Sequence, residues 1–134
     1  MQISLHNEPY PYIVPLNFGL DIFDENIVLY FHCANEGQKL DLIRKNNNVS
    51  FEMDTAHRIF TDDQKGSCSM EYESVMGNGY IEFVPEKEKF SALKILMKQY
   101  HKEDFEFNVS VIPHTTVFRL VVKSFTAKQR KQNL

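Results

Sequence analysis

The chain has 134 residues, 43% hydrophobic and 13% aromatic, enough for one domain with its own core and too few for two ordinary ones. A net charge of −3 argues against nucleic acid or an anionic membrane as partner, and no apolar run is long enough to cross a bilayer. Met1–His6 lacks the basic-then-apolar order of a secretory leader, and Cys33 and Cys68 form neither a CxxC pair nor a disulfide framework, so the expectation is a cytoplasmic protein with reduced thiols and no metal site.

In chain order, most predicted elements are strands. Ile3-Ser4-Leu5 alternates weakly and runs into the turn signal Asn7-Glu8-Pro9. Tyr12 to Phe18 is β-rich, with Val14, Leu16 and Phe18 on one face. Pro15 has no amide to give a ladder, which predicts an edge or a bulge there. Asp24-Glu25-Asn26 marks a hairpin turn into a strand over Ile27–His32. A short helix follows, with Leu40 and Ile43 on one face and Asn46-Asn47-Asn48 at its end. Val49 to Asp54 alternates as a strand, and Thr61 to Ser67 reads as a polar loop.

Met70 to Phe83 is predicted as a long strand, bent where Gly77 and Gly79 allow a bulge or a close backbone approach. Pro85-Glu86-Lys87-Glu88 opens a second helix, whose apolar stripe is Phe90, Leu93, Met97 and Tyr100. Thr115–Val122 is the last predicted strand, and Lys128 to Lys131 is a basic tail read as a solvated end. Six strands, two helices and no repeat predict a mainly β fold, a sandwich or a barrel, with the helices covering its openings or edges.

The stretch Phe31-His32-Cys33-Ala34-Asn35-Glu36-Gly37-Gln38-Lys39 carries the chemistry. It leaves a strand, crosses a short loop and enters a helix whose first amides lack internal partners. A helix dipole favours an anion there, and Lys39 adds a charge. Taken alone, Gly37 and Lys39 are equally the start of an ordinary helix with a solvated lysine.

The chain resembles the pyridoxamine 5'-phosphate oxidase-related FMN-binding split-barrel proteins, and among them the nitroimidazole-resistance branch. The resemblance is carried by Tyr12 to Gly19, Leu29 to Ile43, Asn46 to Asp54, Tyr72 to Gly79 and Phe125 to Lys128, in the family's order. It implies a six-stranded split β-barrel that forms a homodimer with FMN between the subunits. The loop of Cys33, Ala34, Gly37, Gln38 and Lys39 would hold the phosphate. Val14, Pro15, Leu16 and Asn17 would run beside the flavin ring, with Asn17 on its edge, and Ser74 and Val75 would approach the cofactor. His32 matches the branch's histidine near the flavin or the bound small molecule, and is the candidate proton donor.

Each assignment has an ordinary alternative: a packed strand-end histidine, a turn-capping asparagine, plain strand positions. A thiol at Cys33, where relatives often have Ser or Thr, is a poor phosphate donor. The contact should therefore lean on Lys39 and backbone amides, and Cys33 is not expected to be a redox thiol because no resolving cysteine adjoins it. Gly37 and Gln38 stand where pyridoxamine phosphate oxidases have serine and arginine, which argues against that specific activity, as does the lack of their C-terminal substrate segment. Ala127 replaces the glycine usual in the tail, and the helix that usually precedes the first strand is not seen. His6, His57, His101 and His114 are read as surface residues. The resemblance implies an FMN-dependent oxidoreductase that reduces small organic acceptors, nitroimidazoles included. The alternatives are a flavin-binding module without turnover and a haem-binding module with His32 as axial ligand.

Overall fold

The computed structural model describes residues 1–101 and 106–132. Among these, seven antiparallel strands form one sheet: β1 (Gln2–Leu5), β2 (Tyr12–Pro15), β3 (Gly19–Phe23), β4 (Asn26–Ala34), β5 (Asn48–Asp62), β6 (Ser67–Phe83) and β7 (Thr115–Arg130). Two helices, α1 (Gln38–Lys45) and α2 (Lys89–Tyr100), and two 3₁₀ segments, Glu86–Glu88 and Val109–His114, complete the described fold. The order across the sheet is β2-β1-β5-β6-β7-β4-β3.

That order forces the sheet to curl. Strands β2 and β3 are its two edges, yet only Leu16, Asn17 and Phe18 separate them in sequence. Four Cα steps span at most about 14 Å, whereas seven strands laid flat would hold the edges roughly 29 Å apart. The sheet therefore closes into a barrel, left split where β2 and β3 meet without pairing. The fold is the expected mainly β split barrel, with seven strands rather than six.

The barrel interior is filled from nearly every strand. Ile3, Leu5, Val14, Leu29, Phe31, Val49, Phe51, Ile81, Phe118 and Leu120 pack there, joined by Leu40, Leu42 and Ile43 of α1. Phe31 and Phe118 are register partners on β4 and β7, with stacked rings 5.2 Å apart. Such a pair adds about 0.5–1.5 kcal/mol beyond its buried area. Strand β4 is buried on both faces: Leu29 and Phe31 point inward, while Val28 and Tyr30 pack outward with Ala92 and Leu93 of α2. Double burial explains why residues 27–31 read as a continuous apolar run rather than an alternation.

Several sequence expectations hold in detail. Asp24 and Glu25 both take positive φ, 48° and 64°, in the β3–β4 hairpin, as a two-residue turn with the twist of its strands requires. Pro15 ends an edge strand. The β6–β7 register shifts between Asn78 and Gly79.

Other expectations need correction. The strand foreseen over Tyr12 to Phe18 stops at Pro15, and Gly19–Phe23 forms a separate strand at the other edge; propensity could not show that the chain changes edges there. Residues 61–67 are not simply a loop, because β5 runs to Asp62 and β6 starts at Ser67, leaving a short turn between them. Nor does the last strand end at Val122. It continues to Arg130 in register with Tyr72, so the basic tail is paired strand; the ladder supplied by β6 overrides the low β-propensity of these residues.

On α2 the buried residues are Ala92, Leu93 and Leu96, not the whole stripe of Phe90, Leu93, Met97 and Tyr100. The barrel wall sets the packed face: a Cβ on Gly19 would lie 2.5 Å from the Leu96 Cα. Phe90 instead meets Phe107 at 5.3 Å, and the Tyr100 hydroxyl accepts from the Phe18 amide at 2.9 Å.

Because that contact is with helix backbone, Gly19→Ala must push α2 away from β3. The expected cost is about 1–3 kcal/mol, measured as a lowered denaturant midpoint. An unchanged midpoint would mean that α2 does not rest on Gly19.

Candidate functional site

The site is built around the split. In the β3–β4 register Gly19 faces Tyr30, so β4 outruns β3 and His32 lies beyond its start. There His32 lines a cleft of about 380 Å³ with Pro15, Leu16, Asn17, Met1 and Gln2. Four expected site residues, separated in sequence by the whole β3–β4 hairpin, thus come together. Main-chain bonds fix the wall: the Leu16 amide donates to the Met1 carbonyl at 2.9 Å, and the Met1 ammonium donates to the Leu16 carbonyl at 3.3 Å. Val14 belongs to the same strand, but its side chain is buried in the barrel.

Met1 and Gln2 also line a second cleft, of about 840 Å³, so the two adjoin. Ser74 and Val75 line this larger cleft, with Phe18, Met53, Asp54, Thr55, Glu73, Gln99, Ala127, Lys128 and Gln129. Asp54 faces Ser74 across the β5–β6 ladder, and Val75 faces Ala127 across β6–β7. Next to Asp54, β5 carries a bulge between Thr55 and Arg58, with Ala56 at φ 59°. The His57 Nε2 lies 3.0 Å from Asp54 Oδ2. His57 therefore has a partner that sequence reading did not identify, and so does His6, 3.8 Å from Glu8; all four peripheral histidines are exposed as expected.

The proposed anion seat lies one step further along β4. Gly37, at φ 152°, is the N-cap of α1 and supplies no side-chain cap, which leaves the first amides of the helix open. The Gly37 carbonyl accepts from the amides of Leu40 at 3.1 Å and Asp41 at 3.3 Å. Lys39 is half-buried, and among the described residues no carboxylate forms an ion pair with it. Asn35 pins the preceding loop: its Nδ2 donates to the Pro113 carbonyl at 3.2 Å, and its Oδ1 accepts from the Thr116 hydroxyl at 2.8 Å. Ala34 and Gln38 are exposed beside this loop.

Cys33 points toward the barrel interior. Burial pushes its thiol up from the ordinary range, against the opposing pull of the Lys39 and Arg44 charges. Redox chemistry runs through the thiolate, so a thiol pushed up in this way is poorly suited to it. Gly37, Gln38 and Lys39 line neither cleft, so the seat and the clefts are neighbouring parts joined through His32-Cys33.

Met1, Gln2, Met53 and Gln129 were not singled out in the sequence. They reach the clefts through strand pairing between distant segments, which leaves no local signal. Arg44 could have been noticed as a second cation on α1.

The match to the family model for pyridoxamine 5'-phosphate oxidase covers residues 1–129. A comparison with curated proteins gives no match. Among solved structures, a candidate 5-nitroimidazole antibiotic resistance protein from Bacteroides thetaiotaomicron is 32% identical, with a TM-score of 0.80, over 94% of this chain and 74% of that one. An FAD and haem binding protein from Mycobacterium smegmatis matches with TM-score 0.80 at 15% identity, over 98% of this chain and 65% of that one. An FAD-binding protein from Mesorhizobium loti matches with TM-score 0.67 at 18% identity, over 97% of this chain and 85% of that one. The last two likenesses show the fold alone. The family match across nearly the whole sequence, together with the split-barrel fold, shows that the chain belongs to the pyridoxamine 5'-phosphate oxidase-related split-barrel family, in its nitroimidazole-resistance-like branch.

Proposed function

We propose that the protein binds FMN and serves as an oxidoreductase that reduces small organic acceptors such as nitroimidazoles. The observation that carries this reading is the convergence of Pro15, Leu16, Asn17 and His32 on one cleft at the barrel split, beside an uncapped helix N-terminus with Lys39. The donor set fits a flavin mononucleotide. Open amides and an unpaired ammonium suit a phosphate, and the half-buried Leu16 with Pro15 offers an apolar wall for a planar ring. The neighbours that bind FAD support a flavin, and the nitroimidazole-resistance relative supports the acceptor class.

When bound, the flavin supplies a ring that takes up and passes on electrons or hydride. The chain's own contribution is placement and proton supply. Lys39 and the first amides of α1 hold the phosphate. The Asn17 carboxamide offers donor and acceptor groups at the ring edge, and the His32 imidazole delivers a proton to the acceptor as it is reduced. A second copy of the chain encloses the site. Ile13, Met76 and Phe125, exposed at 66%, 46% and 52%, line a groove of about 490 Å³ across β2, β1, β5, β6 and β7, an apolar surface suited to burial against a partner.

The absorption spectrum of freshly purified protein is the first test. Flavin bands that bleach with NAD(P)H and return on adding a nitroaromatic support turnover. Flavin bands that do not respond indicate a binding module, and a Soret band in their place overturns the FMN reading. Lys39→Ala should leave the barrel folded and raise the Kd for FMN at least tenfold, since a charge-assisted phosphate contact is worth about 1.5–3 kcal/mol. Undiminished cofactor occupancy on dilution would refute the phosphate seat.

For assembly, Ile13→Asp with Phe125→Asp should shift the protein from dimer to monomer in sedimentation velocity. If the native chain already sediments as a monomer, the two-copy site is wrong.

A further inference from the structure

The basic tail is the one sequence motif that this function leaves unused, and the fold gives it a setting. From residue 107 onward the chain has no Asp or Glu but carries Arg119, Lys123, Lys128, Arg130 and Lys131. In an acidic protein this places a block of positive charge on β7. The far end of β7 stays paired with β6, which holds the charges on a firm support rather than on a loose end.

Arg130 and Lys131 line a cleft of about 790 Å³ with Lys65, Phe60, Asp62, Ser67, Gln129 and Gln132. Three cations and one carboxylate line it, and two of the cations already have partners, Lys65 in Asp62 and Lys131 in Glu73, which leaves Arg130 as the uncompensated charge among the described residues. Asp62 is already engaged: its Oδ1 accepts from the amides of Gln64 at 3.1 Å and Lys65 at 3.2 Å, and its Oδ2 lies 3.8 Å from Lys65 Nζ. Two more acids stand nearby and are matched. Glu71 accepts from Arg58 Nε and from the Gln132 amide, each at 2.7 Å, and Arg58 beside it holds its carboxyl below the usual range. Glu73 lies 3.7 Å from Lys131 Nζ. Among the described residues Arg130 has no carboxylate partner. Phe60 offers a half-buried ring beside these charges.

This cleft shares Gln129 with the 840 Å³ cleft, which shares Met1 and Gln2 with the cleft of His32 and Asn17. From Ala127 to Lys131 is about 13 Å of strand, so an extended ligand in the 840 Å³ cleft can reach the basic cleft. We propose that the groove's basic end is a binding subsite for an adenosine 5'-diphosphate group, with its phosphates on Arg130, Lys131 and Lys65 and its adenine against Phe60. The chemistry is that of an anion held by a cationic fork and a base stacked on an aromatic face. Two molecules carry this group next to a redox ring: FAD, and the nicotinamide dinucleotide donors. The inference rests on the function proposed above only for which ring the diphosphate is attached to.

Titrating the purified full chain with ADP, followed calorimetrically at low salt, tests the subsite. Saturable binding is expected, weakened at least tenfold in the double variant Arg130→Ala, Lys131→Ala, whose exposed positions leave the fold intact by circular dichroism. FMN affinity, measured on the same samples, should not change; its failure would count against the flavin reading and not against this one. Phe60→Leu should remove the preference for ADP over inorganic pyrophosphate. If that double variant weakens FAD but not FMN, the group belongs to the flavin. If it raises KM for NADPH in the FMN-loaded protein and leaves flavin binding alone, the group belongs to the donor. No saturable binding at millimolar ADP, equal binding by the variant, or pyrophosphate binding as tightly as ADP to the native chain would overturn the proposal.

Discussion

Everything in this fold follows from a tether of three residues between the two edges of one sheet. Leu16, Asn17 and Phe18 are too short a span to join the edges of a flat seven-stranded sheet, so the sheet must close on itself. Closure hides the apolar residues of every strand in one interior. It also leaves a seam, because β2 has ended at Pro15 and β3 has not begun. The tether is held at both ends, by the Met1–Leu16 main-chain pair and by the Phe18 amide on the Tyr100 hydroxyl. A seam held open by structure is a place for a ligand. The residues that line it are those whose side chains the barrel does not consume.

The second constraint is the unequal length of the strands. β1 to β3 have four or five residues, whereas β5, β6 and β7 have 15, 17 and 16. The long strands outrun the barrel and extend one wall as a ribbon. Where barrel becomes ribbon, the backbone has to adjust: Gly77 and Gly79 admit Phe51 and the β7 carbonyls at distances that no side chain would permit, and β5 bulges after Thr55. Bulges of this kind bend a strand and re-aim its side chains, and they cluster beside functional sites. Here the bends bring Ser74, Val75 and Lys128 to the groove that His32 reaches from the other side.

Electrostatics divides the same surface. At the start of α1, Lys39 and the open amides offer positive charge, yet burial pushes the neighbouring Cys33 thiol up against the pull of Lys39 and Arg44. The far end of β7 leads into a separate positive block, balanced at Lys131 by Glu73 and left uncompensated at Arg130 among the described residues, while Glu71 pairs with Arg58 of β5. Exposed pairs of this sort contribute little to stability. Their value lies in the field they offer to an anionic ligand.

Much of this was legible beforehand, where the signal is local. The hairpin at Asp24-Glu25, the edge position of Pro15, the helix faced by Leu40 and Ile43, and the strand–loop–helix stretch ending in Lys39 each depend on residues within a few positions of one another. So does the ordered set of motifs that carries the family resemblance. The tertiary structure alone decided that Pro15 and Gly19 lie at opposite sheet edges, that Leu96 rather than Tyr100 packs on the barrel, that the basic tail is strand, and that Met1, Gln2 and Gln129 join the groove. Each of these is a pairing between segments far apart in the chain. The free energy that fixes such a pairing comes from surfaces buried only when both segments are in place, so neither segment carries its signal alone.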